Sequence, residues 1–402
     1  MHYPKQMNYN QDSGEEKMEN DSLLQETSQQ CKARYTEAYC KCVLVTGGVG
    51  FLGSHVAEAL LNDGRDVVVF DIFNSETTRS QEKIENADLL KWTAEKNGVS
   101  LSIVNGNVLD REGIAEVVRD HKITACVHLG GMVDDRRSVT HPDEYITTNI
   151  MGTAHLLDTL GQCGVKMVVQ ASTRSVFGQR DDNEDLLTEN TERRPVNPYG
   201  ASKVGADAMA HCYSHLHKMN VTLIRVFSAY GPRGRPDMIP RIMTENIYHG
   251  KPIKKFGDGT ATRTWVYVDD IVSAFISALK NPRGGFAEYN TGAPNSMTLN
   301  EMIACAEKVS GKKAIIHNLP VPPGDANKAG KPSYDLIKKE LGWEPKVSLE
   351  EGMKRVWDDY VARQDDSKLR DLVSTKDLSD GPSLKALSLR TSTIKLVLNA
   401  SA

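Results

Sequence analysis

No apolar run in the 402-residue chain reaches the length of a bilayer span, and no charged-then-apolar leader stands at the start. Those absences set the expectation of a cytoplasmic protein with no membrane partner. Charge of one sign is missing too. Lys and Arg total 49 against 53 Asp and Glu, a formal net charge of −4, so the basic surplus that nucleic acid demands is not there. The seven cysteines (Cys31, Cys40, Cys42, Cys126, Cys163, Cys212 and Cys305) are odd in number and include no C-x-x-C pair. That pattern argues for reduced thiols, with no disulfide frame and no metal site. The acceptor patterns at Asn220 and Asn399 read as chance in a chain without a secretory signal. Residues 1–40 are poor in aliphatic side chains and abound in Gln, Asn, Glu and Ser, the composition of a disordered tail. Residues 363–402, rich in Ser, Lys and Asp, read as a second loose tail, with 394–398 a candidate extra strand.

Between the tails, short β-branched runs alternate with helix-period stretches, as a parallel sheet with helices on both faces requires. Strands are expected at 43–46, 67–71, 101–105, 125–129, 167–171 and 222–226. Helices are expected at 54–62, 80–96, 111–120, 143–163 and 199–219. The fold class is therefore α/β, a doubly wound parallel sheet over 41–229. After Tyr230 the clustered Gly231, Pro232, Gly234, Pro236 and Pro240 break regular structure. A smaller α/β substrate domain over 230–362, partly interleaved with the first, is expected there. Its helices are placed at 239–249, 270–279, 299–309 and 349–360.

The stretch that organises the chain is KCVLVTGGVGFLGSH, residues 41–55. A strand runs through Gly47, Gly50 and Gly53 toward an amphipathic helix opened by His55. Glycines let backbone N–H groups approach a pyrophosphate without a Cβ in the way, and the helix N-terminus favours negative charge. The second strand ends in Asp71, 18 residues after Gly53, near where a dinucleotide fold keeps the acid that bonds the adenosine ribose. That carboxylate would repel a 2′-phosphate, so NAD is favoured over NADP.

Tyr199 and Lys203 stand four apart in NPYGASK and share one helix face. A phenol beside an ammonium is one way to make a base. Free tyrosine ionises near pH 10, so neutrality needs a shift of about 3 units, which a fixed cation can supply. Taken with TGGVGFLG (46–53), Asp71, HLGG (128–131), STRSVFG (172–178) and RTWVYVDDIV (263–272), the pattern resembles the extended short-chain dehydrogenase/reductases, and within them the nucleotide-sugar epimerases and dehydratases. The likeness runs from Lys41 to about Tyr360.

The resemblance implies that Tyr199 is the catalytic base, that Lys203 holds the nicotinamide ribose and tunes Tyr199, and that Thr173 bonds the sugar O4. It implies cofactor contacts at Gly47, Gly50, Phe51, Leu52, Gly53, Asp71, Asn107, Val108 and Leu129. Asn107 stands where the family often has Asp, Phe177 where it has Tyr, and HLGG where H-L-A-A is commoner. Dehydratases of the family carry Asp-Glu after the catalytic Thr, and decarboxylating relatives Ser-Glu. Here Arg174 and Ser175 bring no carboxylate, which favours oxidation and re-reduction at C4. RVFSAYGPRGRPDM (225–238) resembles the uronate-receiving segment of UDP-glucuronate 4-epimerases. That likeness implies that Ser228 and Arg235 hold the carboxylate, with Arg136 assisting and Arg263 gripping the diphosphate. A guanidinium and a hydroxyl would also keep a 4-keto uronate from losing CO2. Pro322-Pro323 stand before Gly324-Asp325 where relatives often place a second Arg. The expected reaction is NAD-dependent conversion of UDP-glucuronate to UDP-galacturonate by a homodimer. A UDP-glucose/galactose 4-epimerase, a UDP-glucuronate decarboxylase and a non-catalytic NAD-binding regulator remain alternatives.

Overall fold

A computed structural model describes residues 41–73, 80–180, 186–293, 296–321 and 330–374. The two expected tails, apart from 363–374, and the loop around Asp325 lie outside these residues. In chain order the framework is β1 (Cys42–Thr46), α1 (Phe51–Asn62), β2 (Asp66–Asp71), α2 (Ser80–Asn97), β3 (Leu101–Asn105), α3 (Arg111–Asp120) and β4 (Ala125–His128). There follow α4 (Asp135–Thr140), α5 (Pro142–Tyr145), a π-helical turn (Ile146–Gly152), α6 (Thr153–Gln162) and β5 (Met167–Thr173). A 3-10 turn (Arg174–Phe177), α7 (Pro198–His217), β6 (Asn220–Val226) and β7 (Ser228–Tyr230) come next.

Seven strands form one sheet in the order β11-β6-β5-β4-β1-β2-β3, where β11 is Phe286–Thr291. Every pairing in it is parallel. Strands buried on both faces need continuous apolar runs, and β1, β2 and β4 supply them: Val43, Leu44, Val45, Val67, Val68, Val69 and Val127 are all buried. Burying such side chains contributes about 1.5–3 kcal/mol each. The six expected strands fall within two residues of those observed. The seventh, β11, comes from beyond residue 230, so the two portions interleave, and one apolar cluster runs from Val43 to Met353 and Val356.

Three helices differ from expectation. α1 begins at Phe51, not 54, because Gly50 in extended conformation serves as its N-cap. The long helix expected over 143–163 is α5, a π turn and α6 in succession. The π turn places Asn149 inward, where its amide bonds Met132 N at 2.8 Å, Met132 O at 3.0 Å and Ser202 Oγ at 2.9 Å. The last helix runs Leu349–Ser374, well past residue 360. Charged pairs extend it: Arg363 meets Asp359 at 3.0 Å four residues back and Glu85 of α2 at 3.5 Å.

Candidate active site

The sheet order reverses between β4 and β1, and ligands of such sheets bind outside the strand ends at that point. Thr46 closes β1 there. Its hydroxyl accepts from Leu129 N at 3.2 Å and Gly130 N at 3.1 Å and meets His128 Nδ1 at 2.7 Å. His128 continues to Thr153 at 3.0 Å, and burial holds its ionisation down to about 3, so it is a neutral structural bridge.

The glycine turn leaves no room for side chains. Gly47 sits at φ +67°, and a Cβ on it would lie 2.8 Å from Gly130 N; one on Gly53 would lie 1.9 Å from Gly47 O. At Gly50 the approach is looser, 3.2 Å from Gly47 O. Gly50 N donates to Gly47 O at 3.0 Å, and Phe51 and Leu52 follow as the first residues of α1. Asp71 ends β2, almost wholly buried, and accepts from Val49 N at 3.1 Å. Asp71 carries a partner that sequence reasoning missed: Lys83 of α2 bonds its Oδ1 at 2.5 Å and Ile72 O at 2.6 Å. The repulsion expected toward a 2′-phosphate is thereby offset by a cation. Asn107 spends its Oδ1 on Leu109 N at 3.0 Å, leaving its Nδ2 for a ligand. Val108 is buried beneath Gly152. These surroundings fit a dinucleotide: a close backbone approach, a helix start and an acid at the next strand end.

The second cluster lies at the end of β5. Thr173 there is buried, its hydroxyl accepts from Ser175 N at 3.2 Å, and it stands near enough to the Tyr199 phenol to favour its ionisation. Asn197 caps α7 through Gly200 N at 2.8 Å and so aims the first turn, which carries Tyr199, at β5. The Tyr145 ring packs edge-on against Tyr199 at 6.2 Å. Burial first, then the charge of Asp135, push the phenol up to about 12, against the nearby Thr173 hydroxyl and Arg235, which lower it. Lys203 shares the helix face as expected, and its Nζ donates to Ala171 O at 2.7 Å.

Arg235 reaches this cluster, since its charge acts on both Tyr199 and Tyr145. It is held by Asp237 at 3.0 and 2.5 Å. Ser228 begins β7 opposite Trp265. Arg263 stands on the short strand Thr262–Arg263, near enough to Arg174 to oppose its charge. Arg136 lies in α4, its backbone N–H on the Asp134 carboxylate at 2.9 Å. Sequence reasoning also missed Asp135. Its Oδ1 accepts from Asn197 Nδ2 at 3.1 Å and Ser175 Oγ at 3.3 Å, tying the segments that carry Tyr199 and Thr173. So although positions 174 and 175 bring no carboxylate, the fold delivers one from α4. No spacing signals it, because it depends on Asp134 standing at φ +121°, a strained conformation capped by Arg136 N and Arg137 N. Among the described residues, no three His, Cys, Asp or Glu side chains gather as a metal site, and no helix is long and apolar enough to cross a membrane.

A glycine cradle at the sheet's reversal point, with a Thr–Tyr–Lys cluster beside it, defines an extended short-chain dehydrogenase/reductase. Residues 44–356 match the family described as GDP-mannose 4,6 dehydratase, and the chain belongs to that epimerase/dehydratase family. Among curated relatives it is similar to the UDP-glucuronate 4-epimerase of Thermodesulfobacterium geofontis, 34% identical over 316 residues, 78% of this chain and 94% of that protein. Among solved structures it is similar to Bacillus cereus UDP-glucuronic acid 4-epimerase in complex with UDP-glucuronic acid and NAD. There the TM-score is 0.72 at 29% identity, over 80% of this chain and 99% of that one. A Thermotoga maritima UDP-glucose 4-epimerase with UDP-glucose matches at TM-score 0.72 and 28% identity, over 80% and 99%.

Proposed function

We propose that the chain is an NAD-dependent UDP-sugar 4-epimerase acting on UDP-glucuronate. The observation that carries this reading is the placement of Thr173 beside the Tyr199 phenol, next to the glycine cradle and within reach of the Arg235 charge. Gly47, Gly50, Phe51, Leu52 and Gly53 hold the pyrophosphate of NAD, Asp71 the ribose, Asn107 and Val108 the adenine, and Leu129, Tyr199 and Lys203 the nicotinamide side. NAD, when bound, supplies an acceptor and then a donor for the hydrogen on sugar C4.

Tyr199 takes the O4 proton and later returns it, while Thr173 orients O4 toward the phenol. The 4-keto sugar turns over in the cleft between the two transfers. Arg235 and Ser228 hold the uronate carboxylate ionised, which opposes loss of CO2 from a β-keto acid. Arg263 takes the diphosphate, with Arg136 at the rim. The Asp135 carboxylate is engaged by Ser175 and Asn197, an acceptor role that suits positioning and leaves the single base to Tyr199. The same relatives include UDP-glucose 4-epimerases, so the choice of sugar rests on Arg235.

The enzyme acts as a homodimer, with the π turn, α6 and α7 against a second copy. Support comes from large apolar side chains exposed on the π turn and α7, Ile146, Met151 and Leu216. The test is a panel of UDP-glucose, UDP-galactose, UDP-glucuronate and UDP-xylose with sugar analysis of the products. The reading expects galacturonate from the uronate, no pentose, and loss of turnover in Tyr199→Phe. A pentose product, or a Tyr199→Phe protein as fast as the parent, would overturn it.

A further inference from the structure

Arg174 follows Thr173 directly, in the 3-10 turn that closes β5. One arm of its guanidinium is fixed, Nη2 donating to Gly178 O at 2.8 Å. Its Nε is shielded from solvent and meets no acceptor among the described residues, and no carboxylate there forms an ion pair with it. Arg174 is half-buried, and two arginines buried more deeply each meet a carboxylate. Arg225 pairs with Glu288, and Arg233 pairs with Glu58 at 2.5 Å.

The charges that act on Arg174 are Arg263, which opposes its own, and Asp135, whose Oδ1 is already taken by Ser175 and Asn197. A guanidinium does not shed its proton to escape such a place. A desolvated cation beside a second cation is costly unless an anion joins them.

We infer that Arg174 is an anion-holding residue of the substrate cleft, and that its partner is an acidic group of the nucleotide sugar, either the sugar carboxylate or the diphosphate shared with Arg263. The inference rests on the reading that this cleft takes a nucleotide sugar. Arg174 then has two states: uncompensated in the free chain, and paired when substrate closes the gap between the two guanidiniums. It differs from Arg235, which keeps Asp237 as a partner throughout.

The test is calorimetric titration of the NAD-loaded parent, Arg174→Ala and Arg174→Gln with UDP, UDP-glucose and UDP-glucuronate. Gln can still donate to Gly178 O, so it separates loss of charge from loss of that bond. A carboxylate partner predicts that affinity for UDP-glucuronate falls more than about tenfold in both variants, with UDP and UDP-glucose unchanged. A diphosphate partner predicts an equal fall for all three. Either outcome is accompanied by a Tm without substrate no lower than the parent's, because an unpaired charge has been removed. Affinities within twofold of the parent for every ligand, or a fall seen only with a lowered substrate-free Tm, would overturn the inference. If the parent itself converts no uronate, the proposed substrate is wrong, while the UDP arm still decides the role of Arg174.

Discussion

The Tyr199 phenol stands at about 12 in the cofactor-free chain, and a working base has to be reached from there. At pH 7 that value leaves a phenolate fraction of about 10⁻⁵, and bringing it to neutrality takes about 5 units, roughly 7 kcal/mol. A unit cation about 4 Å away in an effective dielectric of about 20 contributes about 4 kcal/mol. Two cations are therefore enough and one is not. On the proposed reading Lys203 is the first, its Nζ held 2.7 Å from Ala171 O in the cofactor-free chain. The second is the positive ring of NAD.

Lys203→Met should then behave differently in the two states. In the cofactor-free protein the phenol titration, read as ultraviolet difference absorbance against Tyr199→Phe, should change little, because Lys203 is held there on Ala171 O. With NAD bound, the acid limb of kcat/KM should move up by about 3 units, and turnover at pH 7 should fall about 10³-fold. Stability gives a second reading with its own sign. The folded value lies above the ordinary value of 10, so the neutral phenol's contribution is present below pH 10 and is lost as pH rises toward about 12. Tyr199→Phe should remove that alkaline loss in urea midpoints. A cofactor-free phenol that titrates below pH 9, or a Lys203→Met enzyme with the parent's pH profile, would refute this reasoning.

Arg235→Ala should lower kcat/KM for UDP-glucuronate by about 10²-fold and leave UDP-glucose within a few-fold, with more CO2 released per turnover, measured by product analysis. Gly53→Ala places a methyl group 1.9 Å from Gly47 O, so NAD affinity should fall by two orders of magnitude or more in fluorescence titration. Glu288→Val takes the nearer of two carboxylates from Arg225, which is wholly buried, leaving Asp207 at 3.7 Å, and should cost about 3 kcal/mol in urea unfolding. Lys83→Gln removes the cation from Asp71 and should widen the preference for NAD over NADP in competition binding.

What could be read from the chain follows the range of the forces involved. The strands were legible because β-branched runs such as Val67, Val68 and Val69 are buried on both faces and leave a local signature. Thr173, Tyr199 and Lys203 were legible because four residues bring two side chains to one helix face and a strand end brings the third. The start of α1 was missed by three residues because glycine lowers helix propensity, yet here Gly50 caps the helix and Gly53 packs against Gly47 O. The π turn was not legible, since what holds Asn149 inward is a pair of bonds to Met132 and one to Ser202, 53 residues away.

The charges that decide the site were the least legible, and for one reason. Asp135 lies 40 residues from Ser175 and 62 from Asn197 in sequence, and Glu288 lies 63 from Arg225. Residue type marks each as polar, but only the tertiary fold says whether its charge is met. Arg174 shows what that distinction is worth. Read in sequence, it was the absence of a dehydratase carboxylate. Placed in the fold, it is a guanidinium whose Nε has no acceptor, beside a carboxylate already committed to two other donors. On the proposed reading, Arg235 chooses the sugar within a field shared by Arg174, Arg263 and Asp135, and a change at any one of them alters the electrostatic setting in which the other three act.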